Sequence, residues 1–161
     1  MTKTPSALHL VDPSTEAIDR STAVIVVGLD GSPTSWDAFD WAAGEAARTH
    51  GRLIAVYVAP AVEPGAEYGA PIDFAAAEEA RDEIVEQLRT AVQERSRHLD
   101  VPVGFARELG DSAAALTRVA RSVHADLIVV GRSSKVLHRL AGSLGRRLVS
   151  RHDTPAVVVV P

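Results

Sequence analysis

The residues best suited to chemistry are two glycines and a serine that flank a basic stretch near the C-terminus. Gly131 ends an apolar run that begins after Asp126, and Gly142-Ser143 precedes a short amphipathic segment. Because glycine lacks a Cβ, the backbone can turn sharply at Gly131 and a ligand can come close. Ser143 can cap a helix whose free N–H groups attract phosphate. These features predict an anion site between the two glycines.

Six Lys and Arg side chains favour the same prediction, since no acidic residue lies between Asp126 and Asp153. The local electrostatic potential is therefore expected to be positive. The same residues also fit an ordinary strand-to-helix turn with a solvated basic face, and the sequence leaves both interpretations open. The basic residues are Arg132, Lys135, Arg139, Arg146, Arg147 and Arg151.

Composition limits the classes of protein to consider. The 161 residues, 46% of them hydrophobic, suffice for one domain with a full core. A net charge of -4 gives no case for nucleic-acid binding, and the absence of cysteine excludes disulfides and thiol catalysis. No apolar run approaches the roughly 20 residues that span a bilayer. We expect a cytoplasmic protein with a flexible N-terminal arm at residues 1–22, followed by a domain at residues 23–161.

Apolar runs alternate with amphipathic segments, a pattern that predicts an α/β fold with a mainly parallel sheet between two helical layers. Ligands bind such sheets beyond the carboxyl ends of the strands, where the strand order reverses. Asp30, Val58 and Gly131 are expected at those ends. The predicted strands are residues 23–29, 53–58, 101–108, 126–131 and 156–160, and the predicted helices follow Ser32, Ile72, Asp111 and Ser143.

Local signals refine the helices. Ser32 is the expected N-cap of the first helix, which Gly51 is expected to close. Asp111 or Ser112 is the expected cap of the third helix. In the long second helix, over residues 73–98, the apolar spacing predicts that Ala77, Ile84, Leu88, Ala91 and Val92 face inward.

Three segments together resemble the universal stress protein family over about residues 22–161. They are VIVVGLDGSPTSWDAFDWAAGEA at 24–46, ADLIVVGRSS at 125–134 and GSLGRRLVSRHDTPAVVVV at 142–160. The resemblance implies a Rossmann-like three-layer sandwich, similar to the adenine nucleotide α-hydrolases, with a five-stranded sheet of order 3-2-1-4-5. It also implies a homodimer through Ala156–Val160, an apolar edge strand that would otherwise favour aggregation.

The nucleotide-binding branch of this family carries a Gly-x2-Gly-x9-Gly-Ser/Thr loop that holds the phosphates of ATP. Matched by position, Gly131 is its first glycine, Gly142 its third and Ser143 its hydroxyl, whereas Ser134 stands at the second glycine. The resemblance implies ATP as the ligand, with Mg²⁺ when ATP is bound, and no metal ligand from the protein. The implied nucleotide contacts are Gly28, Asp30, Val58, Val130, Gly131, Ser134, Gly142, Ser143 and Leu144.

Two departures from this pattern affect the prediction that the loop binds ATP. Ser134 has a Cβ, which resists positive φ and stands off a phosphate. Seven residues separate Ser134 from Gly142 instead of nine, and two fewer residues remove roughly 7 Å of chain. The shorter loop is similar to the branch that does not bind ATP, so the ligand stays open between ATP, another nucleotide or anion, and none.

Enzyme motifs give little support to a catalytic role. The sequence has no Gly-x4-Gly-Lys-Ser/Thr, Gly-x-Gly-x-x-Gly or Gly-x-Ser-x-Gly motif, and its six histidines are scattered. The resulting hypothesis is a non-catalytic stress-response regulator with an altered nucleotide cleft. A nucleotide-binding protein with slow ATP hydrolysis or phosphotransfer is the alternative.

Overall fold

The computed structural model describes residues 22–61, 74–132 and 144–161, without the side chains of residues 74–77. The expected N-terminal arm lies outside the described residues except for Thr22. This part of the chain forms five strands, β1 (Val24–Leu29), β2 (Arg52–Ala59), β3 (Val103–Leu109), β4 (Leu127–Gly131) and β5 (Ala156–Val160). It also forms four helices, α1 (Pro33–Arg48), α2 (Phe74–Ser96), α3 (Ser112–Ser122) and α4 (Leu144–Val149).

The strands form one parallel sheet of order β3-β2-β1-β4-β5. This arrangement confirms the predicted fold class and strand order. From β1 the chain builds outward through β2 to β3, and then returns to the other side of β1 to add β4 and β5. The order therefore reverses between β1 and β4, which is the position where open parallel sheets bind their ligands.

Helices cover both faces of the sheet, and β1 shows the division. Ile25 and Val27 pack in one buried cluster with Phe39 of α1. Val26, which points to the opposite face, packs in a second cluster with Leu116 of α3 and Leu148 of α4. Because both faces are buried, the central strands are continuous apolar runs rather than alternating ones.

The end of α1 differs from the prediction that Gly51 closes the helix. His50 takes the left-handed conformation instead, with φ 51°, while the N–H of Gly51 donates to the carbonyl of Ala46 at 2.7 Å. Gly51 is buried, and a Cβ there would overlap the carbonyl oxygen of Ala23. The glycine is therefore required by a close approach to the chain before β1.

Helix α2 is shorter than predicted, since it ends at Ser96. Its buried stripe consists of Val85, Leu88 and Val92. The prediction that Ile84 faces inward is wrong, because its side chain is 43% exposed. Within the described residues, no helix combines the length and the apolar character needed to cross a membrane.

Candidate functional site

An apolar wall lies at the carboxyl ends of β1, β2 and β4, on the face that α3 and α4 cover. It consists of Gly28, Val58 and Val130, of which Val130 is buried and Val58 half-buried. A Cβ on Gly28 would lie 3.2 Å from Leu116 and 3.3 Å from Val130. Glycine at this position therefore lets the leucine of α3 pack closely on β1.

Helix α4 adds Leu144 to this wall. Leu144 is the first residue of α4, is half-buried, and packs against the same cluster as Val58. Four predicted nucleotide contacts from four separate stretches thus lie on one face of the sheet. A partly exposed apolar surface of this kind can accept the flat face of a base.

Asp30 lies at the rim of the wall, where β1 passes into α1. Its Oδ1 accepts a hydrogen bond from the N–H of Ser32 at 2.9 Å, and its own N–H donates to Oγ of Ser35 at 3.4 Å. These bonds close an Asx-type turn that orients the exposed carboxylate. Oγ of Ser32 accepts from the N–H of Ser35 at 3.3 Å, which confirms Ser32 as the N-cap of α1.

Glycine is required at position 131 for a different reason from the one predicted. It does not turn the chain, since it pairs with Val160 as the last residue of β4 and has no positive φ. A Cβ there would overlap the carbonyl group of Thr34 and lie 2.9 Å from the nitrogen of Ser35. The space that was expected to admit a ligand is thus filled by the first turn of α1, and this contact brings Gly131 close to the Asp30 turn.

The remaining predicted phosphate contacts cannot be placed. Ser134, Gly142 and Ser143 lie outside the described residues. Of the second half of the predicted loop, Leu144 is the residue that the structure describes. The predicted anion site between Gly131 and Ser143 therefore stays a prediction.

An ion pair joins α4 to the start of α3, and sequence reasoning did not place it at the site. Arg147 donates from its guanidinium to Oδ2 of Asp111. Oδ1 of the same carboxylate accepts from the N–H of Ala114 at 2.9 Å, which confirms Asp111 as the N-cap of α3. The hydrogen bond from Arg147, followed by that from Ala114 and by the positive charges of Arg147 and Arg151, lowers the pKa of Asp111. In the sequence, the signal for Asp111 was its position just after β3, because residues that follow parallel strands lie at the same edge of the sheet.

The positive potential predicted for this region stays a prediction, because Lys135 and Arg139 lie outside the described residues. Among the described residues, acidic side chains approach one arginine of the stretch and one arginine of α3. Asp111 pairs with Arg147, and Asp153 pairs with Arg121 of α3 at 3.2 Å. Arg132 and Arg151 remain exposed, so the charge at this edge is mixed.

Within the described ranges, no three His, Asp or Glu side chains are grouped so that they could hold a metal ion. The carboxylates nearest the wall are instead committed to turns and ion pairs. Asp30 closes the turn before α1, and Glu108 at the end of β3 accepts from Arg118 of α3 at 2.5 Å. The arrangement of the described side chains thus favours binding through an apolar wall with a polar rim.

Sequence comparison assigns the chain to a family. The sequence profile of the universal stress protein family matches residues 22–160. The chain belongs to the universal stress protein family. No curated protein is significantly similar to it in sequence.

Solved universal stress proteins share the fold. One in complex with cAMP is 26% identical, with 87% of this chain and 97% of that chain covered and a TM-score of 0.63. A family member from Burkholderia pseudomallei is 29% identical, with 88% and 98% covered and a TM-score of 0.58. A third, from Lactobacillus plantarum, is 24% identical, with 86% and 97% covered and a TM-score of 0.70.

Proposed function

We propose that this universal stress protein binds an adenine nucleotide at the wall of Gly28, Val58 and Val130, and that it acts as a non-catalytic regulator in a stress response. The observation that carries the proposal is the convergence of these residues with Asp30 and Leu144 at the position where the strand order reverses. The family member crystallised with cAMP supports the choice of ligand class.

Each described residue has a role that fits its surroundings. Val58 and Leu144, which are half-buried, pack against the adenine ring, which needs an apolar surface, and the buried Val130 supports them from the core. Asp30, oriented by its bond to the N–H of Ser32, accepts a hydrogen bond from the ribose hydroxyls or the adenine amino group. In line with the family pattern, the stretch that contains Ser134, Gly142 and Ser143 holds the phosphate groups, and Mg²⁺ accompanies ATP when ATP is the ligand.

Occupancy of the cleft, rather than chemistry on the nucleotide, transmits the signal in this proposal. The protein acts in the cytoplasm. Slow hydrolysis of ATP or transfer of its phosphate is the competing function, and it requires a base that activates a nucleophile. Incubation with ATP and Mg²⁺, followed by separation of ADP and AMP, distinguishes the two, because a binding protein returns the ATP intact.

Calorimetric titration with AMP, cAMP and ATP tests the binding proposal. Asp30→Asn keeps a side-chain oxygen that can close the turn but removes the charge that strengthens a hydrogen bond to the ligand. We expect affinity to fall about tenfold, since such bonds contribute roughly 1.5–3 kcal/mol. Asp37→Asn is the matched control, because Asp37 is an exposed residue of α1. An absence of heat with all three nucleotides at millimolar concentration would refute the proposal.

We also propose that two copies associate through β5. This strand lies at one end of the described sheet, and its Val159 is 44% exposed. Val149, at the end of the neighbouring α4, is 68% exposed. An uncovered apolar edge of this type pairs readily with another strand, and a second copy supplies an identical one.

A further inference from the structure

We propose that Glu108 accepts a hydrogen bond from the amino group of the adenine base and thereby makes the site select adenine over hypoxanthine. The inference rests on the base-binding part of the proposed function. It adds a specificity-determining carboxylate from β3, a strand that contributes no residue to the apolar wall.

The position of Glu108 follows from the strand register. Glu108 pairs with Val58 in the parallel ladder between β3 and β2, and paired residues of neighbouring strands point to the same face of a sheet. Ala106, two residues earlier on β3, packs in the same buried cluster as Val58 and Leu116. Glu108 therefore borders the apolar wall on its β3 side, one strand spacing of about 4.8 Å from Val58.

The ion pairs of β3 confirm this orientation. Arg107, the preceding residue, pairs with Asp82 of α2 at 2.5 Å, whereas Glu108 accepts a hydrogen bond from Arg118 of α3 at 2.5 Å. Successive side chains of a strand alternate between the two faces, and α3 covers the face that carries the wall. The carboxylate of Glu108 thus lies on the wall side of the sheet.

Glu108 is largely covered, yet it keeps acceptor positions for a ligand. Its side chain is 18% exposed, against 57% for that of Arg118. A carboxylate offers about four acceptor positions, and the bond from Arg118 occupies one of them on Oε2. Hydrogen bonds are stronger where water is excluded, so a ligand that donates to this carboxylate gains more than it would at an exposed one.

Two carboxylates flank Val58. The ladder between β1 and β2 ends with Leu29 and Tyr57, so Asp30 leaves β1 beside Val58, on the side opposite to Glu108. The backbones at the two carboxylates are therefore two strand spacings apart, about 10 Å, a span that one nucleoside can bridge. With the ribose hydroxyls at the exposed Asp30 and the base on Val58, the far edge of the base points to Glu108.

The chemistry of that edge decides the selectivity. The amino group of adenine lies on the ring remote from the sugar, and it donates hydrogen bonds. Hypoxanthine has a carbonyl oxygen at the same position, which accepts and cannot donate. A carboxylate that faces this oxygen loses its hydrogen bond and meets a second acceptor, and sites built to form a hydrogen bond reject analogues that lack it.

The test compares AMP with IMP, the nucleotide of hypoxanthine, by calorimetry on the full chain. We expect the unmodified protein to bind AMP about tenfold more tightly than IMP. Glu108→Gln keeps the length of the side chain, but its amide donates as well as accepts, so the preference should fall to about twofold or less. Glu108→Met is a second variant of similar length in case the first is poorly folded, and it should lose the preference as well.

Arg118→Gln is the matched control, because it breaks the same ion pair and leaves the carboxylate in place. Arg118 is exposed, so the loss of the pair should change stability little, and the preference for AMP should survive. If Arg118→Gln lowers the preference as far as Glu108→Gln does, the ion pair rather than the carboxylate is responsible and the inference is wrong. Asp82→Asn removes a carboxylate from the pair on the other face of β3, and an equal loss there would show a general effect of charge and overturn the inference.

The outcomes separate this inference from the proposed function. If the unmodified protein binds neither AMP nor IMP at millimolar concentration, both fail. If it binds the two nucleotides equally, or if Glu108→Gln keeps the full preference for AMP, the proposed nucleotide binding stands and the role of Glu108 is refuted.

Discussion

Substitution of Gly131 by alanine separates a structural role from a ligand-binding one. The new Cβ would overlap the carbonyl group of Thr34 and lie 2.9 Å from the nitrogen of Ser35. Neither obstacle is the end of a flexible side chain, because both belong to the backbone of the first turn of α1. Either β4 or α1 must therefore shift, and both contribute to the same buried cluster.

The expected loss of stability can be estimated from two opposing effects. Forcing extra volume into a packed core costs about 1–3 kcal/mol, and a rigid obstacle lies near the upper end. Alanine offsets about 0.4–1 kcal/mol by restricting the unfolded chain. For Gly131→Ala we expect unfolding free energy to fall by about 2 kcal/mol, or Tm by about 4–8 °C at this chain length.

Urea unfolding followed by circular dichroism measures the loss, with Gly104→Ala as the matched control. Gly104 also lies in a strand, but a Cβ there meets no atom within 4 Å. The control should be unchanged or stabilised by about 0.5 kcal/mol. If Gly131→Ala is as stable as Gly104→Ala and instead loses nucleotide affinity, the packing argument is refuted and the glycine serves ligand approach.

Three further predictions concern stability and association. His50→Gly relieves the backbone strain of a left-handed residue. It should stabilise the fold by about 0.5 kcal/mol, because this relief exceeds the entropy that glycine adds to the unfolded chain. An unchanged urea midpoint would contradict this prediction. The pKa of Asp111 is lower in the folded protein than its ordinary value of about 4, so its contribution is complete above that value and disappears as pH falls through the folded value. Asp111→Asn should therefore reduce stability at pH 7, and the difference in urea midpoint should shrink as the pH falls below the ordinary value. Ala156→Lys places a charge on an exposed position of β5 and should halve the mass measured by sedimentation. Val158→Lys is less suitable, because it would also disturb the core that Val158 contacts. A dimer that survives Ala156→Lys would count against pairing through β5.

Patterns within single elements were predictable from the sequence. The apolar run at β1 and the cap at Ser32 are confirmed because each depends on neighbours within a few residues. The cap at Asp111 is confirmed for the same reason. The strand order came from the family resemblance, since alternation of strands and helices alone does not fix which strands become neighbours.

Close approaches between remote segments were not predictable. Gly51 and Gly131 look like turn residues in the sequence, yet each is required where two backbones meet. Ile84 and Val85 are adjacent and both apolar, and the packing of α2 on the sheet decided which one is buried. Ion pairs between elements were not predictable for the same reason, since Asp111 at the start of α3 pairs with Arg147 of α4.

The two parts of the candidate site should respond differently to substitution. Gly28 and Val130 belong to the packing between β1, β4 and α3, so a change in either alters the fold before it alters the ligand. Asp30 is exposed, and its side chain lies in the turn before α1 rather than in the core. The shape of the base site is therefore constrained by the core, whereas its polar rim can vary at little cost in stability. Asp30→Asn should accordingly change nucleotide affinity while the urea midpoint stays nearly constant.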